Sequence, residues 1–587
     1  MKRTLTSLLL TFLLLSPATA PAQDAAQSDT RQPEAGSAIA TKPLVKAKHE
    51  MVVAAHPLAA EAGLKMLEKG GSAIDAGIAV QLVLNLVEPQ SSGIGGGAFA
   101  LYWDKEAKSL SGFDGRETAP ADVGENLFLD ENGKPLKFKD AVASGKSIGT
   151  PGVLAMMWKM HERYGKLPWK QLFQPAIRIA EAGFPVSERL STLLDNMKPG
   201  DFAPSARNYF YPGGAPLQPG DTLKNPAFAK TLRTIAEDRP DAFYSGALAG
   251  EIATTVANDP RAPGKLSAQD LADYEAQERQ PACVLYRKIE VCGAGLPSSG
   301  GITVGQILKL AEPFDLGDKP LTLPPTQIIA DAERLAFADR GEYLADSDFV
   351  DVPVKGLLDP AYLAERAKLI TPGKRLPKAE PGIPPGVDPD RFGKDATDER
   401  PGTSHFSIVD RDGNALSMTT SIEQAFGART MVGGFLLNNQ LTDFSFEPKD
   451  KDGRPVANRV QPGKRPRSSM DPTIAFTDKN GGRGLRYVLG SPGGPGIILF
   501  NAKTLFAMID WHLDPQAAVD VANFGAVGNT LLLETDPGLD DLAGKLEALG
   551  YKVKRSSLTS GLHVIAVTAE GLEGGADPRR EGVALGH

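Results

Sequence analysis

Gly402 and Thr403 stand where a proline-rich stretch meets an alternating run, and a cut between them would leave Thr403 with a free α-amine. Such a residue unites nucleophile and base. The amine, with a pKa near roughly 8, is partly neutral at physiological pH and takes the proton from the threonine hydroxyl during acyl transfer. A second candidate is Ser147 in Gly145-Lys-Ser147-Ile-Gly149, which fits the G-x-S-x-G turn of serine hydrolases. That turn needs a strong strand before it, and Lys137 to Ser144 is a poor one. A phosphate loop is excluded at the same place, because Asp140 stands where its first glycine belongs. Gly93-Ile-Gly95-Gly-Gly-Ala98 matches a dinucleotide fingerprint, yet it follows a helix and leads into apparent strand, so it reads as close backbone packing. The seven histidines show no metal-ligating spacing, and we expect neither metal nor cofactor.

The surrounding pattern predicts how Thr403 is held. Thr403 to Asp410, an Asp412-Gly413 turn and Ala415 to Ile422 read as a β-hairpin. Upstream, 372–402 carries seven prolines and many charges in 31 residues, which predicts an exposed connection. The chain therefore divides into 45–402 and 403–587. Ala55 to Lys69 reads as a helix stopped by Gly70-Gly71, and Ser72 caps a second helix, apolar almost all round and so central. Helices over Val153 to Tyr164 and Pro175 to Ala182 and a strand near Phe99 to Trp103 make the first half mixed. Strands are predicted at Gly434 to Leu437, Thr473 to Phe476, Leu485 to Leu489 and Leu562 to Val567, with a helix from Pro537 to Leu549 capped by Asp536. Cys283 and Cys292 fall opposite each other in a hairpin about Arg287-Lys288. One cross-strand disulfide is expected, with two buried thiols as the alternative.

Composition narrows the partners. The 587 residues are 41% hydrophobic and 23% charged, a globular balance, and 64 Lys and Arg against 72 Asp and Glu provide no basic field for nucleic acid. Lys2 and Arg3, an apolar stretch from Leu8 to Leu15 and small residues ending at Ala22 have the layout of a secretory signal over 1–22. A flexible leader follows over 23–44, and nothing later is long and apolar enough to span a bilayer, so a bacterial periplasmic or secreted protein is expected.

Several ordered blocks carry a more specific message. Ser92 to Gly97, Asp114-Gly-Arg116-Glu-Thr-Ala-Pro120, Gly149 to Gly152, Leu296 to Gly301, Phe337 to Tyr343, Thr403 to Asn414, Phe435 to Ser445, Arg465 to Pro472 and Gly490 to Gly494 resemble the signature blocks of the gamma-glutamyltranspeptidase family. The resemblance runs from about Val45 to the C-terminus. It implies an α+β fold, the four-layer αββα sandwich of N-terminal-nucleophile hydrolases, made as a proenzyme that cuts itself between Gly402 and Thr403 into two associated subunits. By the same resemblance Thr403 accepts the γ-glutamyl group of glutathione or a related amide and passes it to water, an amino acid or a peptide. Ser421 would support the nucleophile, and the N–H groups of Gly493 and Gly494 would form the oxyanion hole. Arg116, Ser468 and Ser469 would hold the glutamyl α-carboxylate, with Gln440 and Asp443 on the α-amine.

Two features depart from well-studied members. Glu423 stands where they usually carry Asn at the α-amino end of the substrate, and the loop between Asp443 and Ser468 is shorter than in lidded relatives. The nearest alternative is an acylase of cephalosporin or glutaryl amides. The others are a serine hydrolase using Ser147 and a binding protein that stays uncut.

Overall fold

The structure, a computed structural model, describes Gly36 and residues 40–388, 391–397, 399–400, 402–479 and 481–587. The expected signal and most of the expected leader lie outside these residues. The leader's last residues are ordered. The Lys42 ammonium donates to the carbonyl oxygens of Asp577 and Arg580 at 2.7 and 2.6 Å, and Ala40 N–H donates to Pro578.

Alternating apolar residues build two seven-stranded antiparallel sheets. The first runs, edge to edge, through Val45–Ala47, Gly571–Ala576, His563–Thr568, Arg483–Gly490, Thr473–Asp478, Ile289–Gly293 and Ala282–Tyr286. The second runs through Val583–Gly586, Met51–Ala54, Ser404–Val409, Ala415–Ser421, Gly97–Asp104, Ser109–Asp114 and Gln277–Arg279. Met51, Val53, Leu101 and Trp103 from the second sheet meet Ile474, Phe476, Val488 and Ile565 from the first in one buried apolar cluster. Each outer face is then covered by helices, which makes the architecture an αββα sandwich.

The central helix follows from its sequence. Ser72 Oγ accepts from Asp75 N–H while Asp75 accepts from Ser72 N–H, and every residue of Ala73–Val87 is buried. A β-carbon on Gly77 would stand 2.3 Å from Leu416, so glycine there is what lets this helix lie against the Thr403 hairpin. On the other side Gly300–Ala311 and Gly496–Ile509 pack over Tyr286, Ala475 and Leu489.

The hairpin register runs from Ser404 opposite Thr420 to Val409 opposite Ala415. Ser404–Val409 also pairs with Met51–Ala54, and Ala415–Ser421 with Gly97–Asp104, so strands from before and after Gly402 alternate within the sheet. Cys283 and Cys292 face each other across their hairpin, joined by an S–S bond of 2.08 Å. The expected helix from Pro537 to Leu549 is broken: Asp536 caps a 3₁₀ turn, Pro537–Leu539, before the α-helix Asp540–Ala548. A first-turn proline followed by glycine favours that tighter entry.

Candidate active site

Thr403 immediately precedes the strand Ser404–Val409, and the register sets it beside the last residue of the neighbouring strand. Its buried hydroxyl donates to Ser421 Oγ at 3.2 Å, and Ser421 Oγ also accepts the Glu423 N–H at 2.9 Å. The Thr403 carbonyl accepts from Arg580 Nη1 at 3.3 Å. Thr403 has a φ of +137° and Glu423 one of +78°, values that side-chain-bearing residues adopt only under constraint. Backbone strain is therefore concentrated around the Gly402–Thr403 peptide.

The loop after strand Arg483–Gly490 reaches the cavity that Thr403 lines. Gly493 and Gly494 take φ values of +133° and +55°, which glycine adopts freely, and the helix Gly496–Ile509 begins two residues later. Gly494 borders the same cavity as Thr403, whereas Gly493 sits behind it against the Phe500 ring. N–H groups at a helix start favour negative charge, the requirement of an oxyanion site.

Thr403, Ser421, Glu423, Gln440, Asp443, Ser468, Ser469 and Gly494 line one cavity of about 20 Å³. Arg116 stands behind Asp443 and is not at the cavity wall. Its Nη2 donates to Asp443 Oδ2 at 2.5 Å and to the Arg467 carbonyl at 2.9 Å, and its Nε to the Pro466 carbonyl at 3.1 Å. Gln440 Nε2 reaches Asp443 Oδ2 at 3.0 Å, and Asn439 donates to Glu423. Burial pushes the carboxyls of Asp443 and Glu423 up; Arg116 opposes the rise at Asp443, and the neighbouring Asp443 adds to it at Glu423. Arg116 Nη1, Gln440 Oε1 and Glu423 Oε1 are buried with no hydrogen bond within the protein. Polar atoms so placed are costly unless a polar ligand meets them. Ser468 Oγ accepts from Met470 N–H at 3.1 Å.

The exposed connection expected over 372–402 is corrected at its end. Glu399 is buried, because its charge is met by Arg340 and Arg467 and its last lone pairs by Ser469. Composition hides such a residue: proline and charge read as solvent-exposed, while the two arginines that bury it lie 59 and 68 positions away. Glu117 falls within the Asp114 to Pro120 block, yet nothing in that block marks its complete burial beside Arg116, with 3.7 Å between Nη1 and Oε2.

Ser147 lacks the setting of a nucleophile turn. Residues Phe138–Val142 before it form a short helix instead of the strand that a nucleophile turn requires. Its buried Oγ lies 2.8 Å from the carbonyl oxygens of both Val142 and Ser144 and donates there. Gly93, Gly95 and Gly96 pack against Asn85, the Leu436 carbonyl and the Ser421 carbonyl, so these glycines serve close approach. His405 lies in the strand layer, bonded to Thr419 and Ser407 and stacked 6.2 Å from His563; burial keeps it neutral. Among the described residues, Cys283, Glu290 and Cys292 bring metal-ligating atoms within 4.8 Å, but the two sulfurs are spent on each other. A larger cavity of about 930 Å³, lined by Lys48, Trp103, Lys105, Arg411 and Arg486, opens at the far end of the Thr403 hairpin and holds no acyl-transfer set.

An αββα sandwich with a hydroxyl residue at the start of an inner strand, bordering a cavity that a glycine loop also lines, is the layout of the N-terminal-nucleophile hydrolases. The chain belongs to the gamma-glutamyltranspeptidase family, whose profile matches residues 59–587. It is 37% identical over 550 residues to the glutathione hydrolase proenzyme of Bacillus subtilis, covering 92% of each chain. It is 33% identical over 548 residues to an acylase proenzyme of a Pseudomonas species, covering 91% of this chain and 93% of that one. In structure it resembles the cephalosporin acylase of Bacillus halodurans, with a TM-score of 0.81 at 27% identity over 98% of this chain and 99% of that one. Among the described residues no helix is long and apolar enough to cross a membrane.

Proposed function

We propose that this protein is an exported, self-processing γ-glutamyl hydrolase and transferase that works on glutathione and related γ-glutamyl amides through Thr403. The observation that carries this is the Thr403 hydroxyl, 3.2 Å from Ser421 Oγ at a strained glycine–threonine peptide, inside a cavity lined by acids and hydroxyls. In the first reaction Thr403 Oγ attacks the Gly402 carbonyl carbon and the amide nitrogen leaves, giving an ester and a free α-amine. Water then cleaves the ester, leaving a carboxylate on Gly402. In the second reaction the amine takes the hydroxyl proton, Oγ attacks the γ-carbonyl, and the leaving amine receives that proton. The Gly494 N–H, with Gly493 behind it, stabilises the oxyanion of both steps. Water or an amino acid then releases the glutamyl group.

The substrate reading rests on charge. A glutamyl donor brings one α-carboxylate and one α-amine; Ser468 and Ser469 at the cavity wall, with Arg116 behind Asp443, suit the first, and Glu423, Gln440 and Asp443 the second. Gels and N-terminal sequencing of the mature protein test the nucleophile. Two bands, the smaller starting at Thr403, are expected for the wild type and a single band for Thr403→Ala, while Ser147→Ala should be cut normally. An uncut, inactive wild type would overturn the reading. Similarity to acylases favours a second reading, hydrolysis of glutaryl or cephalosporin side-chain amides. Faster turnover of a glutaryl anilide than of the γ-glutamyl anilide would favour it, since the two differ only in the α-amine.

A further inference from the structure

The cavity of about 930 Å³ at the far end of the Thr403 hairpin lies where turns from both sheets meet. Its walls come from the turns that follow strands Gly97–Asp104 and Ser404–Val409 in one sheet and Thr473–Asp478 and His563–Thr568 in the other. Seven of its lining residues are Lys or Arg and one is acidic, in a chain whose net charge is −8. Basic charge is concentrated here in an acidic protein.

The single acid does not balance it. Asp410 is buried and accepts from Ala73 N–H at 3.1 Å, Asn414 Nδ2 at 3.0 Å and Asn414 N–H at 2.9 Å, so its oxygens are spent on the interior. Asp412, on the same turn, is paired with Lys166. The arginines are engaged as well. Arg483 makes two bonds of 2.7 Å to Glu290, Arg411 lies 3.3 Å from Glu50, and Arg486 Nη1 donates to the Val567 carbonyl at 2.7 Å.

The lysines differ. Among the described residues no ion pair holds the ammonium of Lys48, Lys105, Lys108 or Lys479. Lys48 Nζ donates to the Glu570 carbonyl at 2.7 Å, which anchors the group without neutralising it. Lys105 lies along the Asp412-Gly413 turn, where a β-carbon on Gly413 would stand 2.9 Å from its Nζ. Glycine there leaves room for the ammonium.

Like charges gathered around one hollow repel each other, a cost that a bound anion offsets. The residue types say which anion. A guanidinium fork matches a carboxylate with two parallel bonds, but the guanidinium groups here already have partners, and the ammonium groups left over act as point charges. Several point charges around a concavity suit a compact anion of high charge density. The volume also falls within the roughly 300–1,000 Å³ of small-molecule sites.

We propose that this cavity binds an oligophosphate, an anion of two or more linked phosphates, held by Lys48, Lys105, Lys108 and Lys479 with Arg486 beside them. The inference does not depend on the reaction at Thr403. Lys48, Lys105 and Lys108 precede Gly402 while Lys479 and Arg486 follow it, so one ligand bridges the two parts of the chain.

Calorimetry with inorganic tripolyphosphate on the purified protein, at fixed ionic strength, tests this. Saturable binding is expected, weakened at least about tenfold in Lys105→Gln/Lys108→Gln and unchanged in Lys170→Gln/Lys368→Gln, which removes the same charge from exposed positions elsewhere. Circular dichroism should show both variants folded, and tripolyphosphate should raise the melting temperature of the wild type. Moving from about 50 to about 300 mM salt should weaken binding further, since exposed ammonium groups are screened. No saturable binding, or equal losses in the two double variants, would overturn the proposal. Citrate bound as tightly as tripolyphosphate would overturn the choice of phosphate. A wild type that sediments with phosphatidylglycerol vesicles through Lys105 and Lys108, yet binds no free tripolyphosphate, would assign the lysines to a membrane surface and overturn it too.

Discussion

Gly402 packs so tightly under the backbone of Glu423 that a β-carbon on it would stand 1.7 Å from the Glu423 carbonyl oxygen. The residue before the proposed nucleophile is thus sterically limited to glycine. Gly402→Ala must push the scissile carbonyl away from Thr403 Oγ, and overpacking of this kind costs about 1–3 kcal/mol. Its expected outcome is a chain that folds with a lowered melting temperature and stays uncut over hours in which the wild type is processed. Normal processing on a gel would contradict this.

Ser421 is the hydrogen-bond partner of the Thr403 hydroxyl. Removing one such bond is worth about 1 kcal/mol, and more where charge develops. Ser421→Ala should slow self-cleavage and lower kcat by about tenfold, with Ser421→Thr closer to wild type. Parallel time courses of processing and steady-state assays would check both.

Glu117 gives a pH signature. Burial raises its carboxyl to about 8, with Arg116 pulling the other way. The folded state then holds a proton that the unfolded chain releases near 4.5, so stability falls as pH rises from about 4.5 through about 8. Thermal melts between pH 5 and pH 9 should show that decline in the wild type and a flatter profile in Glu117→Gln. Identical slopes would show that Glu117 is not the group responsible.

The Cys283–Cys292 bond closes a loop with a sequence separation of 9. Chain-entropy reasoning puts its contribution at about 2–3 kcal/mol. The bond lies in a hairpin away from Thr403, so Cys283→Ser/Cys292→Ser should melt earlier yet keep its kcat. Loss of kcat without loss of stability would contradict that separation.

Local rules made much of this molecule readable. The Ser72 cap, the Asp412-Gly413 turn and the alternation after Thr403 each place backbone and side chain within a few residues of one another, and the corresponding elements form. Thr403, Ser421, Gln440, Asp443, Ser468 and Ser469 meet around one cavity, though only the family resemblance, not spacing, pointed to most of them. What stayed hidden was decided by distant partners. Nothing near Glu399 marks it as buried, since its environment is supplied by Arg340 and Arg467. Likewise the break at Leu539 reflects competition between a 3₁₀ and an α turn that periodicity does not resolve.

The interleaving of strands on either side of Gly402 has a consequence for refolding. Before the proposed cut at Gly402–Thr403, recovery from denaturant is a first-order event of a single polymer. Afterwards the same sheets can be rebuilt only by collision of two fragments, each lacking the neighbours its strands need. Under the proposed processing the product would be one-way, its persistence in dilute surroundings set by how slowly it opens and not by how well it could reassemble.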